Sequence, residues 1–390
     1  REPLGLMYIQ SALGRVPGIE AALYDARHSG RKKIIPRPES FSHLDNIYQE
    51  DHSCFSLFHR YYRFGDSYGA VIKFIREGGY HLVGISALFS GYFPDLEELV
   101  AGIKKGTSAL VALGGWAVEA EGERLYHESS ADFFLRGSGE IGLPALAEAL
   151  IGRIEFSAVP GLIYCRDSGV WTVPPLYAPV PEEFPHRPER FYRFKGRNIA
   201  AVIVSRGCRN RCSFCAVHRC GDYSRRSIES IERELHHLSS LGIDLVNFED
   251  DNLLDDPAFA VELVSLLKKF GERGLGFTAM NGLTASTALP FLEDMITAGF
   301  REFNFSMVTG SDSLAGAMGR PFSPGVVREA VDIIRGRVET IVFTILGLPG
   351  STPRKAAEDI AALARMPVTV GVSPLYLLPG VPSLERLGMP

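Results

Sequence analysis

The chain has 390 residues, long enough for two domains, and its 46% hydrophobic and 22% charged residues are those of an ordinary globular protein. A formal net charge of −5 makes no global electrostatic case for nucleic acid, no apolar run reaches the ~18–20 residues of a membrane span, and no signal peptide is visible. Six cysteines, three of them in one short loop, do not make a disulfide framework, so the expected setting is a reducing one, the cytoplasm by default.

The chain starts at Arg1 directly in Pro3-Leu4-Gly5-Leu6-Met7-Tyr8-Ile9 and stops at Gly388-Met389-Pro390. The first run reads as a helix whose preceding strand is missing, and both ends read as cut. Strand patterns follow at Ile19–Tyr24, His81–Ser86, Ala109–Leu113 and Asp132–Leu135, with helical patterns near Leu4–Leu13, Tyr68–Ile75, Leu96–Lys104 and Ile141–Ile151. This alternation predicts an α/β domain over residues 1–151, a Rossmann-like doubly wound parallel sheet lacking its first strand. No Gly-x-Gly-x-x-Gly occurs, which disfavours a dinucleotide site.

Distinctive residues stand at the ends of these strands: Asp25-Ala26-Arg27-His28-Ser29-Gly30, Ser86-Ala87-Leu88 and Gly114-Gly115, then Gly137-Ser138-Gly139-Glu140 after the last one. Ser-x-Leu followed by Gly-Gly resembles the cobalamin-binding domain. In that family the serine contacts the dimethylbenzimidazole of the nucleotide tail and the glycines let the tail thread along the sheet. Steric logic agrees, since only glycine lets another molecule run flush against backbone. The family signature opens Asp-x-His-x-x-Gly, with its His on cobalt. Here Arg27 holds that position and the order is Asp25-x-x-His28-x-Gly30, so His28 is either a displaced cobalt ligand or a surface loop histidine, and cobalt may lack a lower protein ligand. Gly137-Ser138-Gly139-Glu140 resembles the Gly-Glu-Gly-Glu turn of cobalamin-dependent radical S-adenosylmethionine (SAM) proteins. The resemblance thus implies cobalamin contacts at Asp25, His28, Ser86, Leu88, Gly114, Gly115, Gly137 and Glu140.

Residues 30–65 interrupt the sheet and carry His43, His52, His59, Tyr48, Tyr61 and Tyr62. Their spacing matches no standard metal motif; a packed, partly helical insertion is expected, with a cap over the cofactor as the alternative. Residues 152–198, with Pro174-Pro175, Pro179, Pro181, Pro185 and Pro188, read as an ordered linker.

An apolar strand, Ile199–Val204, then runs into Ser205-Arg206-Gly207-Cys208-Arg209-Asn210-Arg211-Cys212-Ser213-Phe214-Cys215. The C-x3-C-x2-C spacing suits an iron–sulfur cluster better than a zinc finger. A four-iron four-sulfur cluster normally takes four cysteines; Cys208, Cys212 and Cys215 supply three, which leaves one iron open. A structural zinc site or unrelated thiols are the competing readings. Cys220 is a conceivable fourth ligand that would make an electron carrier instead, and Cys54 and Cys165 read as buried or inert thiols. Further strand patterns stand at Ile243–Phe248, Leu275–Met280, Arg301–Ser306, Thr340–Leu346 and Thr369–Leu375, with helical periodicity between them. Six strand–helix units predict a second parallel domain over residues 199–390, with ligands at the carboxyl ends of its strands.

With its aromatic Phe214 before the third cysteine and its place after a first strand, the cysteine loop resembles the radical SAM superfamily. That resemblance implies a partial (β/α)6 barrel, SAM chelated to the open iron, and a 5′-deoxyadenosyl radical released on reduction by an external flavodoxin- or ferredoxin-type donor. The family's Gly-Gly-Glu after strand two is replaced by Phe248-Glu249-Asp250-Asp251-Asn252, so the SAM amino group falls to Glu249 or Asp250. Val308-Thr309 stands where an acid often follows strand four. Phe214, Asn281, Ser306, Leu346 and Gly347 complete the implied SAM contacts.

Together the two resemblances cover nearly the whole chain and point to cobalamin-dependent radical SAM enzymes. The implied activity is methylation of an unactivated carbon or phosphorus centre on a small molecule or peptide, with methylcobalamin as donor. Ring formation or rearrangement without net methyl transfer is the alternative enzyme. A non-enzymatic iron–sulfur or cobalamin carrier is the alternative from another class. The implied catalytic base, if any, is unassigned.

Overall fold

The computed structural model describes residues 2–36, 42, 61–166, 169–187, 191–320, 324–376 and 381. His43, Tyr48, His52, Cys54, His59 and Pro188 lie outside the described residues. The chain divides into two compact units, residues 5–176 and residues 1–4 with 177–390. The sequence reading drew its boundaries at 151 and 198 instead.

In the first unit, helix α1 (Leu4–Leu13) precedes a short antiparallel ribbon of β1 (Lys32–Ile35) and β2 (Tyr61–Phe64). Then come α2 (Tyr68–Gly78), β3 (Leu82–Ser86), α3 (Phe93–Gly106), β4 (Leu110–Gly114), α4 (Trp116–His127), β5 (Phe133–Leu135), α5 (Gly139–Leu150), β6 (Leu162–Arg166) and β7 (Gly169–Thr172). The sheet order is β3-β4-β5-β6-β7. Strands β3, β4 and β5 are parallel, as expected, while β6 and β7 are antiparallel. Alternation along β4 divides the core. Val111 and Leu113 pack with Ile75 of α2, Val100 and Ile103 of α3 and Val118 and Leu125 of α4, whereas Ala112 faces Leu146 and Ala149 of α5. Helices therefore cover both faces of the sheet.

Three elements differ from expectation. Residues 19–24 have no strand assignment, and β3 is an edge of the sheet; a strand exists only by pairing, and the Ala21 carbonyl instead takes a bond from Gln10 Nε2 at 3.2 Å. Residues 162–166 and 169–172, expected in the linker, pair as the antiparallel strands β6 and β7 that extend the sheet. Helix α4 was not foreseen. Its helical pattern is broken at Gly122, where a Cβ would lie 3.0 Å from Ile163 Cδ1, so the glycine lets the helix pack closely on β6.

The second unit carries all six expected strands: β9 (Arg197–Val202), β12 (Leu245–Phe248), β13 (Gly276–Thr278), β14 (Phe300–Val308), β15 (Glu339–Leu346) and β16 (Thr369–Pro374), after an edge strand β8 (Tyr192–Phe194). The six are parallel, in the order β16-β15-β14-β13-β12-β9, and β8 lies antiparallel on β9. The crossovers carry α6 (Ile228–Ser240), α7 (Pro257–Gly271), α8 (Ala285–Ala288), α9 (Leu292–Thr297), α10 (Asp312–Ala317), α11 (Pro324–Ile334) and α12 (Pro353–Leu363). Chain order and strand order agree, as successive strand–helix units require. The core is rich in aromatics: Phe248, Phe277, Phe300, Phe303 and Phe305 form a run with ring centroids 5.7–6.1 Å apart.

A chain of buried charges ties this unit's incoming segment to α6. Glu2 Oε2 accepts from Arg187 Nη1 at 2.6 Å and from Ala201 N at 2.6 Å. Arg187 also pairs with Glu234, which pairs with Arg226. Signs alternate along the chain, so no charge is left alone; removing one partner of such a pair costs about 3–5 kcal/mol. Arg226 Nη1 donates to Ile203 O at 3.1 Å and Arg226 N to Val204 O at 2.9 Å, so the network also fixes the segment that enters the cysteine loop.

Candidate functional site: the cysteine loop and the open sheet edge

The cysteine loop is closed at its base by a two-residue ribbon, β10 (Ser205–Arg206) on β11 (Ser224–Arg225). Carboxylates after β12 hold its backbone. Asp250 Oδ1 accepts from Ser205 N at 2.5 Å, Ser205 Oγ at 2.7 Å and Val204 N at 3.1 Å. Asp251 accepts from Gly207 N at 2.9 Å and Asp255 from Arg209 N at 2.5 Å. The acidic run is thus a cradle for the loop rather than a solvated turn. The sequence offers Asp250 beside Glu249 as a contact for the SAM amino group. Only 2% exposed, it is engaged with the loop, and burial pushes its carboxyl up to about 7. Glu249 is half-buried, takes Asn247 Nδ2 on Oε1 at 2.5 Å, and its carbonyl accepts from Asn281 Nδ2 at 2.8 Å. Two of the expected SAM contacts, Glu249 and Asn281, therefore do meet.

The three thiols lie within electrostatic reach of one another. Burial pushes Cys208 up to about 11, with Asp255, Cys215 and Cys212 adding to the rise. Burial also raises Cys215, with Cys212 and Asp251 adding and Arg320 opposing. Such thiols keep their protons until a metal displaces them. Among the described residues no three His, Cys, Asp or Glu side chains are gathered as they would be around a single metal ion. A four-iron cluster asks each thiolate to bind a separate iron, and three thiols spread over one cradled loop fit that demand. Cys220 follows a 3-10 turn, with its Sγ 4.0 Å from Ala216 O. Cys165 is exposed rather than buried.

Strand β14 ends in a strained turn. Val308 has φ +70, where a β-branched residue is a true outlier, and Thr309 N bonds back to Met307 O at 2.9 Å. Asp359 on α12 secures it, accepting from Thr309 Oγ1 at 2.9 Å and Gly310 N at 2.7 Å. Such strain, about 1–3 kcal/mol, gathers at functional sites. Val308 packs with Met318 and Leu348, and Phe214 joins that cluster. The Ser306 carbonyl accepts from Arg320 Nη2 at 3.0 Å. Leu346 and Gly347 line a mostly apolar cavity of about 400 Å³ with Ser351, Thr352, Ala356 and Ile360, where β15 hands over to α12. Asp359 and Arg320 were missed in the sequence, where each stands alone among helix and loop residues.

At the carboxyl edge of the first unit's sheet, Ser86 is exposed, and so are Leu88, Phe89, Tyr92 and Trp116. Gly115 has φ +102, and a Cβ there would lie 2.7 Å from Ala87 O; the fold itself demands glycine. Gly114 differs. Its Cβ would make only an ordinary contact, with Leu135 O at 3.5 Å, so the fold itself does not demand glycine there. Gly137 N donates to Glu119 at 2.7 Å, and a Cβ on Gly137 would lie 2.5 Å from Leu176 O; this glycine serves the packing of its own unit. Glu140 is half-buried in the first turn of α5. Asp25 caps a 3-10 turn over 26–29 by accepting from Arg27 N at 3.0 Å, Gly30 closes it, and His28 is exposed on it.

Residues 202–363 match the Radical SAM superfamily. Over 309 residues the chain is 25% identical to a cytidylyl-2-hydroxyethylphosphonate methyltransferase of Streptomyces wedmorensis, covering 69% of this chain and 54% of that protein. It is 26% identical to a tRNA-2-methylthio-N(6)-dimethylallyladenosine synthase of Pelobacter propionicus, covering 69% and 60%. The chain thus spans little more than half the length of these curated relatives. Among solved structures it resembles the radical SAM methyltransferase TsrM from Kitasatospora setae, solved with cobalamin and a [4Fe-4S] cluster. There the TM-score is 0.77 at 19% identity, over 98% of this chain and 74% of that one. It also resembles the cobalamin-dependent radical enzyme OxsB, with TM-score 0.60 at 15% identity, over 82% and 48%. No described helix is long and apolar enough to cross a membrane.

Proposed function

We propose, from the premise that residues 202–363 are a radical SAM domain, that this chain is the catalytic part of a cobalamin-dependent radical SAM methyltransferase. Its acceptor is an unactivated carbon or phosphorus centre on a small molecule or peptide. In this reading the first unit is a Rossmann-like cobalamin domain and the second a partial (β/α)6 barrel. One observation carries it: three thiols on one loop, its backbone held by carboxylates at the carboxyl end of the first of six parallel strands. Cys208, Cys212 and Cys215 would hold a four-iron four-sulfur cluster. Glu249 and Asn281 would receive the SAM amino group, Ser306 and Phe214 would border the ligand, and Leu346 and Gly347 would border its adenine. When bound, cluster, SAM and cobalamin supply the radical and methyl-transfer chemistry. The protein's residues bind, orient and exclude water around them.

For cobalamin the support is a glycine at 114 that the fold does not itself demand, beside exposed Ser86 and Leu88, with Phe89, Tyr92 and Trp116 offering apolar area to a large flat ligand. His28 and Asp25 would stand at the cobalt side of that surface, and Glu140 beyond Gly137. An external flavodoxin- or ferredoxin-type donor would supply the electron.

The test is anaerobic reconstitution with iron, sulfide, cobalamin and SAM carrying a deuterated methyl group, followed by mass analysis of small-molecule and peptide pools. The expected result is 5′-deoxyadenosine together with a product bearing the labelled methyl. Deoxyadenosine without any label transfer would overturn the methyltransferase assignment and leave a radical SAM enzyme of another reaction.

A further inference from the structure

The three residues after α10 grip the middle of the cysteine loop. Met318 O accepts from Ser213 N at 2.9 Å. Gly319 has φ +69, and a Cβ there would lie 2.9 Å from Arg211 O and 3.7 Å from Cys212 Cα, so the two backbones touch and only glycine fits. Arg320 is fixed at its own backbone by a 2.9 Å bond from its N to Ala315 O. Its guanidinium reaches across, with Nη1 3.9 Å from Cys212 Sγ and Nη2 donating to Ser306 O at 3.0 Å. The thiols therefore have unequal neighbours. Cys208 faces a neutral amide, Asn252 Nδ2 at 3.9 Å, itself bonded to Asp255 at 2.8 Å. Cys212 faces a permanent cation.

We propose that Arg320 positions the Cys212 side of the cluster against β14 and sets the cluster's reduction potential. This rests on the cluster reading above. One-electron reduction of a cluster adds a negative charge to it. A guanidinium stays charged at every working pH, and one that is part-buried is poorly screened by salt. Held against a ligand sulfur, it favours the reduced state, because cluster potentials follow net charge and the donors around the sulfurs. The same side chain bridges the loop to the end of β14, where Val308 and Phe214 pack, so charge and placement come from one residue.

The experiment is a reductive titration with dithionite, followed by EPR in the absence of SAM, on the reconstituted wild type, Arg320→Gln and Arg320→Lys. Arg320→Gln should retain its iron and be reduced about tenfold less readily, a downward shift of ~59 mV for one electron. Arg320→Lys keeps the charge and should stay within about threefold of wild type. An unchanged potential in Arg320→Gln, or an equal fall in Arg320→Lys, would overturn the proposal. Should Arg320→Gln lose its iron, the lysine variant decides: a retained cluster near the wild-type potential supports the assignment, and a lost cluster overturns it. A wild-type protein that holds no cluster on its cysteines would instead sink the reading beneath it.

Discussion

The carboxyl edges of the two sheets are built on opposite plans. In the second unit the strand ends are crowded with carboxylates: buried Asp250 and Asp255 with exposed Asp251 on the cysteine loop, and buried Asp359 on the turn after β14. Each accepts backbone N–H groups that would otherwise lie unpaired, so the loop's shape is set by the protein before any ligand arrives. In the first unit the corresponding edge shows Ser86, Leu88, Phe89, Tyr92 and Trp116 to solvent and carries at Gly114 a glycine the fold does not demand. One edge fixes a loop's backbone, which in the proposed function would hold a small inorganic group. The other is a surface that a large organic ligand would cover. The sensitivity to substitution should differ accordingly.

The largest effect breaks the comparison at the cluster. Replacing Cys208, Cys212 and Cys215 together by Ala should abolish bound iron and sulfide while cobalamin uptake persists. Cys220→Ala should leave iron content unchanged; loss of the cluster in that variant would favour a closed, electron-carrying cluster. Next is the sheet edge. Gly114→Val should abolish cobalamin retention on gel filtration and spare both folding and iron content, because a Cβ at this position comes no closer than 3.5 Å to a protein atom, Leu135 O. Gly115→Val is a control of another kind. Its left-handed backbone and the nearby Ala87 carbonyl should cost at least ~1–3 kcal/mol of stability, seen as a lower unfolding temperature of the first unit.

A smaller effect separates cradle from ligand site. Asp250→Ala leaves buried donors unpaired, about 1–3 kcal/mol for each, and should lower iron content after reconstitution. Asp250→Asn keeps an oxygen acceptor and should retain the cluster. Glu249→Gln should weaken SAM binding measured by calorimetry with the cluster intact. If Asp250→Asn weakens SAM as much as Glu249→Gln does, the division of roles is wrong. A separate effect is in pH. The folded unit holds the Asp250 proton up to about pH 7, whereas the unfolded chain releases it near pH ~4. Between these values the native state binds more protons, so stability falls as pH rises through the window and levels off above it. Urea midpoints of wild type should show this slope, and Asp250→Asn should flatten it.

Sequence periodicity carried far in the second unit, where each strand has an apolar core of its own and strand order follows chain order. It carried less far where a strand depends on its neighbour. Residues 19–24 have strand composition and no strand pairing, and residues 162–166 and 169–172 pair as antiparallel strands inside what reads as a proline-rich linker. Helix α4 was hidden by Gly122, whose purpose lies across the core at Ile163. The cysteines were legible because their spacing is itself the signal. Asp250 was not, since three adjacent acids look alike until burial distinguishes them. Arg226, Glu234, Arg320 and Asp359 act through partners remote in sequence, which no local pattern reveals.

The most direct measurement is a metal count on one sample. Wild-type protein reconstituted anaerobically with iron, sulfide and excess cobalamin is passed through gel filtration, and iron, sulfide and cobalt are assayed in the protein peak. The expected result is about four iron atoms with about one cobalt per chain, in which Gly114→Val removes the cobalt alone and the cysteine variant the iron alone. A wild-type peak with iron but no cobalt would contradict the two-cofactor account.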